Sequence, residues 1–215
     1  MVSLNAKIVG GIAVTGLVCA IAAGAGVFTV GRLGSELDNS LRVGQIVRAH
    51  MQGDMMHDAI RADVIGALEA TIIGSGFDIA KISEDFTEHS KSFRESIATA
   101  SQLAVDPAIS AALKAVETPL LSYEQSARGI IDMAAKDASD ARAAYPAFLQ
   151  QFETLEGAME GAADQIEAVA AAEAETAQGF SQIGLMLMLG LLAAGVVVSA
   201  AIVVVARRQV VRPLL

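Results

Sequence analysis

Residues 183–206 read IGLMLMLGLLAAGVVVSAAIVVVA, without a single charge, and Arg207, Arg208 and Arg212 follow at once, with Pro213 next. As a helix this stretch is roughly 36 Å long, enough to cross the hydrocarbon core of a bilayer. Clustered arginines mark its C-terminal end as cytoplasmic. A second uncharged stretch, residues 8–30, reads IVGGIAVTGLVCAIAAGAGVFTV, between Lys7 and Arg32. A cleaved signal peptide competes for this segment, since small residues near 20–26 suit a peptidase. A retained span is the better reading. The segment is long for a signal core, and its helical pattern runs on through Leu33, Leu37 and Leu41. Cys19 is the only cysteine, which rules out a disulfide within one chain. Gly16-Leu17-Val18 before it does not suit a lipoprotein site.

The charges are sorted along the chain. All 24 acidic residues lie between the two apolar segments. Lys7, Arg207, Arg208 and Arg212 sit at the ends assigned to the cytoplasm, as positively charged inner loops should. The acidic middle argues against nucleic-acid binding, which needs a basic face. Tryptophan is absent and alanine abundant, which suits long helices with small seam residues.

Four helical patterns fill the middle region. The first covers 33–73, with Leu37, Leu41, Gly44, Val47, Met51, Met55, Asp58, Ala62, Ile65, Leu68 and Ile72 expected to face the core. Gly74-Ser75-Gly76 ends it. The second covers 77–104, with Ile82, Phe86, His89, Phe93 and Ile97 on one face. Asp106-Pro107 opens the third, as N-cap and first helical residue. Its stripe runs from Ile109 through Tyr123 to Ala134, with a kink or short break expected at Pro119. The fourth starts between Ser139 and Pro146, carries Phe148, Phe152, Leu155, Met159, Ala162 and Ile166, and has no breaker before Ala206. The fold class is therefore all-α, an antiparallel up-down four-helix bundle between two transmembrane helices. The expected domains are a cytoplasmic N-terminus (1–7), a first span (8–31), the bundle (32–181), a second span (182–206) and a cytoplasmic tail (207–215).

Two spans flanking such a bundle resemble the sensory half of bacterial methyl-accepting chemotaxis proteins. The tail Arg207-Arg208-Gln209-Val210-Val211-Arg212-Pro213-Leu214-Leu215 is similar to the start of a HAMP linker. Asp54-Met55-Met56-His57-Asp58-Ala59-Ile60-Arg61-Ala62-Asp63-Val64 resembles a first-helix motif of these bundles. The resemblance implies a homodimer in the bacterial inner membrane, multi-pass, with its bundle in the periplasm. It implies a small-molecule ligand or a periplasmic binding protein outside, and chemotaxis signalling proteins inside. It also implies that a HAMP module and a signalling, kinase or cyclase module follow, so the chain is expected to be a fragment. Arg207, Arg212 and Pro213 would carry the signal inward.

Candidate ligand-binding residues are His57, Asp58, Arg61, Arg94 and Tyr123. Arginine forks suit carboxylates, although no dense arginine cluster on the first helix matches receptors for acidic ligands. Pairing of Arg61, Arg94 and Arg128 with acidic neighbours is the plainer reading. No cofactor is expected. The alternative is a metal or redox sensor on His50, Asp54, His57 and His89, holding a divalent ion or a b-type haem. Glu153, Glu156, Glu160, Asp164 and Glu167 form an acidic run on the fourth helix, read as a solvated face or as a cation site shared with the first. No nucleophile elbow, phosphate loop or zinc-protease motif points to an enzyme. A membrane stalk or adaptor without output is the remaining reading.

Overall fold

The computed structural model describes residues 4–208. It is all-helical, with four helices: α1 (Leu4–Ala70), α2 (Ile79–Leu103), α3 (Pro107–Ala134) and α4 (Ala138–Ala206). No strand occurs among the described residues. The helix starts follow from local chemistry. Asp78 accepts from the Ala80 N–H at 2.9 Å and caps α2. Asp106 accepts from Ala108 at 2.8 Å and Ile109 at 3.3 Å, with Pro107 in the first turn of α3. Asp137 accepts from Ser139 at 2.7 Å, just before α4 gets under way. Each carboxylate satisfies amide groups that the helix itself leaves unpaired. After α1 the chain turns at Gly74 and Gly76, whose φ angles of 81° and 77° disfavour a side chain.

The chain forms two compact units. One joins the residues up to Asp38 with those from Glu173 onward; the other is Asn39–Ala172. In the first unit, α1 and α4 each contain a stretch long and apolar enough to cross a membrane. Their apolar side chains, among them Leu17, Phe28, Leu187 and Val197, are exposed. The two stretches touch at small residues. A Cβ on Gly184 would lie 3.0 Å from Thr29 Cγ2, and one on Gly26 3.5 Å from Met188 Cε. Close approach at small residues is how helices pack in lipid, where apolar burial gives no drive to associate.

In the second unit, segments of all four helices share one apolar core. The α3 stripe Ile109, Leu113, Val116, Leu120, Tyr123, Ala127 and Ile130 is buried, and so is the α4 stripe Phe148, Phe152, Leu155, Met159, Ala162 and Ile166. Pro119 does not break α3. It deprives the Ala115 carbonyl of its amide partner, but Ala115 is exposed and water can serve it, while buried Val116 and Leu120 hold the helix in register.

The α1 face differs from the sequence reading. Leu37, Leu41, Met51, Met55 and Ile65 are exposed, Met51 and Met55 at 61 %. The core face is instead Val43, Ile46, His50, Gly53, His57, Ile60, Val64 and Ala67, in alternating steps of three and four. Two histidines and a glycine within that run make it look less apolar than the face that meets solvent. On α2, Ser90 takes the buried place expected for His89, which is only partly covered.

Candidate functional site

The centre of the second unit is a layer of rings around His57. The imidazole is 3 % exposed and stacks on Phe152, with centroids 4.2 Å apart and planes at 13°. It meets the Tyr123 ring edge-on at 5.0 Å and Phe93 at 6.3 Å. Phe148 stacks on the other ring of this group, Tyr123, at 5.2 Å. Four helices therefore contribute to one contact set, because each apolar stripe places an aromatic at this level. Tyr123 donates its hydroxyl to the His57 carbonyl at 2.8 Å. Burial pushes the Tyr123 phenol well up, so it stays protonated and keeps donating. Removing that hydroxyl in Tyr123→Phe should cost about 1 kcal/mol, read as a lower urea midpoint with an unchanged slope. A larger loss would mean that the ring, not the bond, had moved.

Polar groups border the layer. The Arg61 guanidinium lies 4.6 Å over the Phe152 ring, a cation–π contact worth roughly 0.5–2 kcal/mol. Arg61 Nε and His57 Nε2 are both buried without a hydrogen-bond partner. Burial lowers the His57 pKa, opposed by the nearby charges of Asp58 and Asp54. Asp58 itself is exposed. Arg94 is not part of this layer's ring contacts. It pairs with Glu124 at 3.1 Å, and Glu124 is buried on α3. Burial raises the Glu124 carboxyl while Arg94 pulls it back. Arg128 binds hydroxyls, Ser83 at 3.1 Å and Thr87 at 2.8 Å, and lies over Phe86 at 4.4 Å. Among the arginine pairings expected with acidic neighbours, the structure shows the one to Glu124.

The histidines are not gathered into one donor set. His50 and His57 lie two turns apart on the core face of α1, with Asp54 between them on an exposed face. His89 Nδ1 is 2.7 Å from Asp63 Oδ2, a buried carboxylate that the sequence did not single out. Burial raises Asp63 against the opposing pull of His89. Among the described residues no group of three or more His, Cys, Asp or Glu side chains is placed to hold a metal ion.

No family model, curated protein or solved structure matches the chain. Its function must be argued from its own residues. The ring layer is the partner of α1 that sequence reasoning missed. Phe152 was legible as a core residue, but nothing in a single sequence joins it to His57 or Arg61, 95 and 91 positions earlier (152 − 57 and 152 − 61). Arg207 is exposed at the end of α4, whereas Arg212 and Pro213 lie outside the described residues.

Proposed function

We propose that the chain is the sensory part of a two-span membrane receptor of the chemotaxis-transducer kind, with an antiparallel up-down four-helix bundle outside the membrane. The observation that carries this reading is that α1 and α4 are each one unbroken helix containing both a membrane-length apolar stretch and a stretch of the bundle core. Contact order supports the up-down arrangement. Asp63 meets His89, Arg94 meets Glu124, and Thr71 meets Arg142 while His57 meets Phe152. A stimulus outside would bias two packings of the bundle, and α4 would carry a shift of ~1–2 Å towards Arg207. The stimulus must bind the two packings unequally, or nothing is transmitted.

Topology is the direct test. In a Cys19→Ser background, Ile73→Cys should react with a membrane-impermeant maleimide on intact cells, since Ile73 is fully exposed. Arg208→Cys should react only after the membrane is opened. The opposite pattern would sink the receptor reading. The intact mass of the protein from its own membranes should also be well above 22.2 kDa, the mass of this chain, if an output module follows.

The receptor acts as a homodimer through the exposed face of α1. Leu37, Leu41, Gly44, Val47, Met51 and Met55 repeat every three or four residues, the spacing of a helix–helix seam, and all but the half-buried Val47 are exposed. Two copies in one membrane run parallel, so each residue of that face meets its own counterpart. Met55→Cys in the Cys19→Ser background should form a disulfide-linked dimer under mild oxidation, because counterpart Cβ atoms fall within bonding reach. Ala98→Cys, exposed on α2, should not. Equal crosslinking at both positions would remove α1 as the interface.

A further inference from the structure

We propose that a pocket between α1 and α4 binds one phosphatidylethanolamine molecule at the membrane surface. The pocket lies wholly within the unit formed by the residues up to Asp38 and from Glu173 onward. It encloses about 300 Å³, a ligand-sized volume. Phe28 on α1 and Ile183, Leu187 and Met188 on α4, all from the two apolar stretches, supply an apolar wall. Arg32 and Glu36, the first two charges on α1 after its apolar stretch, line the same pocket. The pocket therefore straddles the depth at which hydrocarbon gives way to phosphate and ammonium groups. No residue of the α1 seam described above lines it, so a homodimer leaves it open.

An apolar hollow alone would fit any acyl chain. The charged pair narrows the choice. Arg32 Nε and Glu36 Oε1 are 3.8 Å apart, too far for a hydrogen bond. Neither side chain is hydrogen-bonded to a described residue. The Glu36 side chain is only 12 % exposed, so its carboxylate is largely cut off from water and lacks a donor. That is a costly arrangement beside an apolar wall. The Arg32 guanidinium lies 4.7 Å over the Phe180 ring, which holds it at the pocket with its N–H edges still able to donate. A ligand that completes this pair must bring an anion for Arg32 and an N–H donor for Glu36, both on an apolar tail. A phosphoethanolamine head on its acyl chains has all three. The phosphate takes the guanidinium fork, the primary ammonium donates to Glu36, and part of one chain lies against Phe28, Leu187 and Met188. Phosphatidylcholine brings the phosphate, but its trimethylammonium has no N–H. Phosphatidylglycerol brings no cation at all.

This inference rests on the reading of the two apolar stretches as membrane spans, and its test does not need the protein to signal. The full chain in detergent would be incubated with equal amounts of phosphatidylethanolamine, phosphatidylcholine and phosphatidylglycerol carrying the same acyl chains. Native mass spectrometry would then count the lipid retained. We expect one phosphatidylethanolamine per chain, preferred about tenfold over the other two, the size of one hydrogen bond to a charged group. Glu36→Leu should abolish the preference over phosphatidylcholine. Arg32→Gln should lower retention of all three lipids, and Arg32→Lys, which keeps a cation for the phosphate, should recover it. Glu175→Leu makes the same change at an exposed position on α4 outside the pocket, and should leave the preference intact. Equal retention of the three lipids by the native chain would overturn the proposal, since it marks the lipid as a general coat. So would an equal loss of preference in Glu175→Leu, which would trace it to surface charge. A chain that stayed dissolved without detergent would overturn the span reading and this proposal together. A chain that needs detergent yet shows no preference would overturn this proposal alone.

Discussion

Replacing Phe152 by alanine is expected to lower the stability of the bundle by about 3–5 kcal/mol, the range for removing a buried aromatic from a packed core. Phe152 is 7 % exposed, and its neighbours cannot easily close the gap. On one side His57 would lose its stacking partner at 4.2 Å, and Arg61 would lose the ring beneath its guanidinium at 4.6 Å. Both keep buried nitrogen atoms that already lack hydrogen-bond partners, so water entering the cavity would meet polar groups rather than a dry wall. Urea unfolding of the full chain in detergent would read the loss. Phe152→Leu fills part of the volume and should recover some of it. If the alanine variant lost less than about 1 kcal/mol, the ring layer would not be the keystone of the unit.

Acidification should weaken the same region. Burial lowers the pKa of both His50 and His57 below the ordinary value of 6.5. The unfolded chain therefore binds protons that the folded chain refuses. The stability involved is whole above about pH 6.5. It falls as the pH drops through that value, and the fall stops below the folded-state pKa values. Two such histidines give a slope of up to about 2.7 kcal/mol per pH unit. The groups facing them are known. Asp54, Asp58 and Arg61 surround His57 on α1, with Tyr123 on α3, while Asp54 on α1 and Glu156 and Glu160 on α4 line one surface groove with His50. Asp63 and Glu124 act in the opposite sense. Burial raises both above their ordinary 3.8 and 4.5, so the folded state gains protons first and part of the loss returns towards pH 4. Urea midpoints at pH 7.5, 6.5 and 5.5 should trace the descending limb. The double variant His50→Leu, His57→Phe should flatten it. A limb that survived in that variant would have to come from other groups.

The helices α3 and α4 were legible because their buried stripes are apolar at helical spacing, with Glu124 on α3 the one charged exception. Asp106-Pro107 announced its own cap. The helix α1 was legible as a helix but not in its orientation. Its core face carries His50, Gly53 and His57 where a pattern search wants leucine. Each has a local reason. A Cβ on Gly53 would stand 3.2 Å from Phe93 and 3.3 Å from Ile97, so α2 comes close there. His57 is accepted because Phe152 and Tyr123 give its ring faces and edges to pack on. Such reasons lie in partners dozens of residues away, and no local period contains them. The candidate site was therefore read in pieces. His57, Arg61 and Tyr123 do lie around one layer. Arg94 belongs to an ion pair with Glu124, and His89 to a hydrogen bond with Asp63.

The placement of the tyrosines has an optical consequence. The chain has no tryptophan and two tyrosines, Tyr123 and Tyr145, both inside the Asn39–Ala172 unit. Tyr123 is fully buried against Phe148, and Tyr145 stacks on Phe148 as well, at 5.9 Å. Tyrosine dichroism and tyrosine emission are thus silent about the two apolar stretches, which contain no tyrosine. The intact protein carries its own dye, confined to the Asn39–Ala172 unit, and a change in that signal reports rearrangement there without any label.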